Sequence, residues 1–152
     1  MKDKVFVKIR GLNIAEEIDD TEDSEVVQED AIEVISVGKY AVVNGKEYVK
    51  YEEVYEEFEK KARCLIKIEN DKIEVSKKGA INSNLIFNKN EKTDTLYDTP
   101  YGSLSLGVVT KEMDIKRTED TINIEIEYSL EYNYNKLSDN RICIEITSDL
   151  SI

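Results

Sequence analysis

The chain of 152 residues contains no histidine and no tryptophan, one proline, two cysteines and six glycines. Without histidine there is no Ser-His-Asp triad, no Cys-His pair, no imidazole-bound zinc or haem and no HExxH metalloprotease centre. Two cysteines without CxxC spacing exclude zinc ribbons and thioredoxin-like redox motifs. Cys64 shares the parity of Ala62, Ile66 and Ile68, whereas Cys143 alternates with Ile142, Ile144 and Ile146. The two thiols are therefore expected to face different ways, Cys64 in the core and Cys143 on the surface, with no disulfide between them. No run approaches the roughly 18 apolar residues of a membrane span. Residues 1 to 15 alternate in charge and lack the apolar region of a signal peptide, so a cytoplasmic location is expected.

A net charge of -12 lacks the basic footprint that nucleic acid or an anionic membrane needs, and neither is expected as a partner. The charge is uneven. Residues 16 to 30 hold nine carboxylates and no base, which leaves 24 acids against 21 bases elsewhere, and five more carboxylates fall within residues 52 to 59. The acidic stretch lacks the DxDxDG spacing and twelfth-position Glu of a calcium loop. It is expected to be a solvated, mobile loop of a single domain spanning residues 1 to 152.

What the sequence has in abundance is alternation. Ile122, Ile124, Ile126, Tyr128, Leu130 and Tyr132 alternate with Asn123, Glu125, Glu127, Ser129 and Glu131, the period of a half-buried strand. Further strands are expected around Val5 to Arg10, over 31 to 43, Lys46 to Tyr55, Arg63 to Glu69, Ile73 to Gly79, 83 to 88, 104 to 115 and Arg141 to Thr147. Asn44-Gly45 and Asn70-Asp71 are turn signals, since Asn and Gly tolerate positive φ. Residues 89 to 98 read as a polar loop, 135 to 140 as a turn, and the parity change after Val108 predicts a bulge near Gly107. In residues 51 to 61, Tyr51, Tyr55 and Phe58 have helical spacing, but the extended flanks favour a strand and loop. Local connections and one proline predict an all-β, antiparallel up-and-down meander of about 8 to 10 strands closing into a small barrel; a two-sheet sandwich is the alternative.

The order of VFVKI, GKYAVVNGKEYVKYEE, a hairpin ending KKG, LIF, YDTPYG, SLSLGVVT and a long strand ending EYSL resembles the YwiB-like family of uncharacterised bacterial proteins. The resemblance spans essentially the whole chain. Its specific parts are Tyr51-Glu52-Glu53, Thr99-Pro100-Tyr101-Gly102 and Thr110. Lys77-Lys78-Gly79 stands where the family pattern has an Arg before the Gly, which puts a guanidinium-dependent role in doubt. The resemblance implies a lipocalin-like, calycin-type barrel in the bacterial cytoplasm and transfers no catalytic residue.

Tyr97, Thr99 and Tyr101 are candidates for a polar rim at the barrel mouth, although Pro100, Gly102 and the Thr99 hydroxyl already explain a local turn. Tyr51 and Glu53 are candidates for a polar site inside the barrel, against the simpler reading of a core Tyr and an outward Glu. Tyr128 and Tyr132 complete the hypothetical ligand-binding set, from stripes that also serve as ordinary core. No catalytic residue, metal site or cofactor is expected. The favoured function is a non-enzymatic barrel holding a small apolar or aromatic ligand in its lumen. The alternative is an interaction or scaffold module with a filled core, meeting a basic protein partner through its acidic loop or outer face. A monomer or a homodimer is compatible with either.

Overall fold

The structure, a computed structural model, describes residues 1–16, 26–28, 32–55 and 59–148. Among the described residues there are eleven strands and no helix: β1 (Lys4–Glu16), β2 (Val26–Gln28), β3 (Ile32–Val43), β4 (Lys46–Tyr55), β5 (Lys60–Glu69), β6 (Lys72–Gly79), β7 (Ser83–Asn88), β8 (Lys92–Thr99), β9 (Gly102–Arg117), β10 (Thr121–Tyr132) and β11 (Asn135–Thr147). The order β7-β6-β5-β4-β3-β1-β11-β10-β9-β8 is antiparallel throughout, and β2 pairs with β1 outside this path. Because β1 lies between β3 and β11, the two halves of the meander are joined by full ladders at the chain termini. The gap falls instead in mid-sequence, between β7 and β8, which share one bridge, Asn82 with Asp98. The result is a nearly closed ten-stranded barrel, consistent with a small lipocalin-like barrel.

The alternation of β10 explains how the wall closes. Ile122, Ile124 and Ile126 stand opposite Ile146, Ile144 and Ile142 of β11, and Ile146 and Ile144 stand opposite Val7 and Ile9 of β1. Branched side chains suit this pleated surface, and their inner face is fully buried at Ile122, Ile124, Ile126, Ile144 and Ile146. Asn44 at φ +53° and Gly45 at φ +77° form the expected tight turn between β3 and β4.

Four expectations are corrected. Residues 92–98, read as part of a polar loop, belong to β8; its Thr and Asp residues obscured an alternation that buries Thr95. The turn read at 135 to 140 lies at Asn133-Tyr134, both with positive φ, and β11 begins at Asn135. The bulge expected near Gly107 is at Lys111: Tyr128 pairs with Thr110 but Glu127 pairs with Glu112, so the change of parity comes after the buried Thr110. Within the acidic stretch, 26–28 form β2, while 17–25 and 29–31 lie outside the described residues. Residues 56–58 lie outside them too, so Tyr51–Tyr55 follow the strand reading and Phe58 is not placed. Cys64 is buried, Cys143 is half-buried and both are free, as expected.

The inner faces form one apolar cluster, with Val5, Val7, Val49, Ile66, Ile68, Ile73 and Phe87 joining the isoleucines of β10 and β11. Toward one end of β4, Glu47 continues the inward parity of Val49 and Tyr51. Its carboxylate takes a hydrogen bond from the Tyr40 hydroxyl at 2.6 Å and an ion pair with Arg117 of β9. This contact spans strands that are not neighbours in the sheet, so it ties separate parts of the wall together.

Candidate functional site

The polar side chains of the interior are placed by pairing register. Tyr51 of β4 stands opposite Cys64 of β5, Cys64 opposite Lys77 of β6, and Lys77 opposite Ser83 of β7. The adjacent row toward the core, Val49, Ile66, Val75 and Leu85, is wholly apolar. The row beyond, Glu53, Ala62 and Gly79, contains two very small residues. Their size leaves room for the Lys77 side chain to cross β5 and meet Glu53 Oε2 at 3.0 Å and the Tyr55 hydroxyl at 3.3 Å. The Tyr55 hydroxyl in turn donates to Glu53 Oε2.

The cluster is sheltered. Lys77 and Glu53 expose 26% and 13% of their side chains, low for paired charges and enough for their contact to exceed an ordinary surface ion pair. The Tyr51 ring is buried, and its hydroxyl has no hydrogen-bonding N or O partner. Thr110, opposite Tyr128 in the wall, has a similarly buried and unpartnered hydroxyl. Tyr128 packs edge-on against Phe87 with ring centroids 4.9 Å apart.

Burial sets the protonation states. It drives the Tyr51 phenol far above its usual range, and pushes Tyr55 up to about 12 with help from its bond to Glu53. The Cys64 thiol is raised to about 11, first by burial and then by the Glu53 charge. Burial pulls Lys77 down, but Glu53 and Tyr55 outweigh it and hold the ammonium above its ordinary value. At neutral pH the site therefore offers an ammonium, neutral phenols and an unreactive thiol; it contains no amine or thiolate nucleophile.

Lys77 also belongs to a cleft of about 470 Å³ on the β7/β8 seam, with Ser83 and Thr95 on its inner wall and Asn82, Asn84 and Asp98 around it. The seam is held by side chains as much as by backbone. Asn84 N donates to Thr95 Oγ1 at 3.3 Å, the Thr93 hydroxyl donates to Ile86 O at 2.8 Å, and Asn82 and Asp98 exchange two backbone bonds.

Of the sequence candidates, the structure brings together Tyr51 and Glu53, and Tyr128 lies near enough for the Lys77 charge to oppose the burial that raises its phenol. The others stand apart. Thr99 donates to Gly102 O and accepts from Tyr101 N, a local turn, while Tyr101 is 82% exposed. Tyr97 is half-buried on β8, and Tyr132 is exposed beside the Asn133-Tyr134 turn. Lys77 and Tyr55 were not among the candidates. Parity alone could have found both, since each lies an even number of residues from a buried partner, Val75 or Tyr51.

The model of a domain of unknown function, DUF1934, matches residues 13–144. The chain belongs to the DUF1934 family. The crystal structure of the ywiB protein from Bacillus subtilis is similar over 98% of this chain and 95% of that one, with a TM-score of 0.74 and 23% identity. This likeness supports the fold of the DUF1934 chain, including its near-closure. No curated protein matches it. Within this DUF1934 barrel, no group of His, Cys, Asp and Glu among the described residues could hold a metal, and no helix is long and apolar enough to cross a membrane.

Proposed function

We propose that this DUF1934 barrel is a non-enzymatic, cytoplasmic binding protein for a small ligand with an apolar or aromatic body, seated at the polar layer of the lumen and entering by the β7/β8 seam. The observation that carries this reading is the double membership of Lys77, which is bonded to the sheltered Glu53–Tyr55 pair and also lines the open cleft. A sheltered polar cluster that shares Lys77 with a cleft on the weakly paired seam of the wall supports a pocket with few convergent polar groups. The raised thiol and phenols supply no base or nucleophile, which supports binding over catalysis.

A thermal-shift screen of metabolites tests the reading. A ligand at 100 times its dissociation constant adds about 2.7 kcal/mol, a rise of several degrees for a domain of this size. The rise should disappear in Ser83→Leu, which fills the inner wall of the cleft. If every compound that shifts the wild type shifts S83L equally, the cleft is not the site.

A second reading, a filled barrel acting as an interaction module, is favoured by the apolar packing of the remaining lumen and by Ile35 and Val37, 61% and 60% exposed on β3. Substituting both with Thr should then abolish capture of a basic protein partner without lowering the melting temperature.

A further inference from the structure

The wall also parts between β3 and β4. β3 pairs with β1 without interruption from Lys39 back to Ile32, whereas β4 pairs with β3 only as far as Gly38 with Tyr51 and then follows β5 alone from Glu52 to Tyr55. The phase of the ladder fixes what the edge left free on β3 offers. Tyr40 N donates to Asp3 O at 2.8 Å, so the even-numbered residues of β3 turn their N–H and C=O groups toward β1. Lys39 turns its own toward Lys50. Glu33, Ile35 and Val37 turn theirs the same way, past the last pair with β4, and have no backbone partner there among the described residues.

The side chains do not guard this edge. Ile35 and Val37 are exposed on the outer face, and Val34 is 41% exposed although it shares the inward parity of its neighbour Ile9. Soluble proteins usually blunt such an edge with lysine, proline or a bulge, and the run Glu33 to Val37 has none of these. The flanking charges specify what fits it. Lys39 lies across the sheet between Lys4 and Lys50, a row of cationic side chains with no ion pair among the described residues, and Glu33 stands at the other end, 3.7 Å from Lys8. An acid at one end of an edge and unpaired bases at the other are complemented by the same edge run antiparallel.

We infer that the Glu33 to Val37 edge of β3 binds the same edge of a second copy of the chain, about a two-fold axis at Ile35, to form a homodimer by strand addition. In this register Glu33 stands opposite Val37 of the partner subunit and Ile35 opposite Ile35 of the partner subunit, so every outward N–H and C=O of the edge is used. Glu33 comes diagonal to Lys39 of the partner subunit, within reach of long side chains. Ile35 and Val37 of the two copies form one apolar strip, continued by Phe6, which lies beside Val37 on β1. A register moved toward Lys39 would run the incoming strand into β4.

Sedimentation equilibrium of the full chain, loaded from about 10 μM to about 1 mM, the range of weak specific dimers, should show a rise from 17.5 kDa to twice that mass. Position 35 faces itself across the axis, so Ile35→Lys and Ile35→Glu should each abolish the rise while still unfolding cooperatively. An equimolar mixture of the two should associate at least about tenfold more tightly than either alone. Amide exchange reads the bonds themselves: at the highest loading, Glu33 and Val37 should be protected at least about tenfold more in the wild type than in I35K, with Val34 and Ser36, which face β1, unchanged. A wild type that stays at 17.5 kDa would overturn the inference, as would an I35K variant that dimerises as tightly or a mixture no tighter than its components. A dimer that leaves Glu33 and Val37 unprotected would put the contact elsewhere and overturn it as well.

Discussion

Glu53 and Lys77 show what a single contact contributes inside this barrel. Each is too sheltered to be solvated well alone, so removing one strands the other. Lys77→Met should cost about 1–3 kcal/mol in urea unfolding, the penalty of a buried charge left with fewer bonds. The double variant Lys77→Met with Glu53→Leu should recover part of that loss, because two apolar side chains leave nothing unsatisfied. Additive losses would show that the pair does not interact. The same neighbourhood sets the alkaline limit. Cys64, Tyr55, Tyr51 and Lys77 all hold their protons more tightly folded than unfolded, so their contribution is complete below the unfolded values and is lost as pH rises through the folded ones. Stability should begin to fall near the ordinary thiol value of 9.0 and continue past about 11, and Cys64→Ala should flatten the first part of that fall. Glu53 was legible in the sequence through its parity with Tyr51. Lys77 was noticed only as part of Lys77-Lys78-Gly79, where an Arg was expected before the Gly, because a lysine two residues after Val75 on an alternating strand looks like the start of a polar strand end rather than an inward charge.

At the scale of elements, parity decides which face each strand buries, and bulges reset it. Thr110 faces inward, Lys111 is the extra residue, and Met113 and Ile115 resume the inward stripe beneath Ile126 and Ile124. The sequence revealed that a reset occurs but placed it near Gly107, since glycine is the usual bulge residue. Gly107 does not need to be glycine for the bulge: a Cβ there would stand 2.8 Å from the flexible end of the Lys92 side chain, which can move aside. Lys111 is held by its ion pair to Asp139 at 2.8 Å, and Lys136 and the Ser129 hydroxyl bond the same carboxylate. These three donors hold Asp139 well below the usual carboxylate range, so its contribution is present above the unfolded value of about 3.8 and is lost as pH falls below it. Deleting Lys111 should leave an unbroken ladder from Thr110 to Glu112 that keeps Met113 and Ile115 inward, so unfolding in calorimetry should stay cooperative, whereas inserting an Ala after Lys111 should turn Met113 and Ile115 outward and abolish it. Gly79 sets a second limit. At φ +127°, with a Cβ that would lie 2.4 Å from Lys61 O, Gly79→Ala should cost more than the roughly 1–3 kcal/mol of backbone strain alone. Gly45→Ala, with open space around it, should cost only the strain.

For the molecule as a whole, the position of the seam matters more than the number of strands. A meander closed at its termini would ordinarily open there, but β1 pairs with both β3 and β11, so the terminal strands are among the best anchored. Near-closure was legible from the count of alternating segments; the site of the opening was not, because it depends on long-range register and on β8, whose Thr-rich alternation resembles a loop. Along the seam, the Thr93 hydroxyl donates where a ladder would supply an amide N–H, and the Thr95 hydroxyl accepts where it would supply a carbonyl. A hydroxyl can release an edge group to water without breaking a cooperative array, so opening here requires only local free energy while the isoleucine walls require global unfolding. Native-state hydrogen exchange should therefore show the amides of Asn84 and Ile86 exchanging through small fluctuations insensitive to denaturant, and those of Ile124 and Ile144 exchanging only with global unfolding. Thr93→Val with Thr95→Val should widen that gap by speeding Asn84 while leaving Ile124 and Ile144 tied to global stability. Equal protection at the seam and at the isoleucine ladder would mean that the barrel opens as one unit, and a lateral route to Lys77 would then be closed.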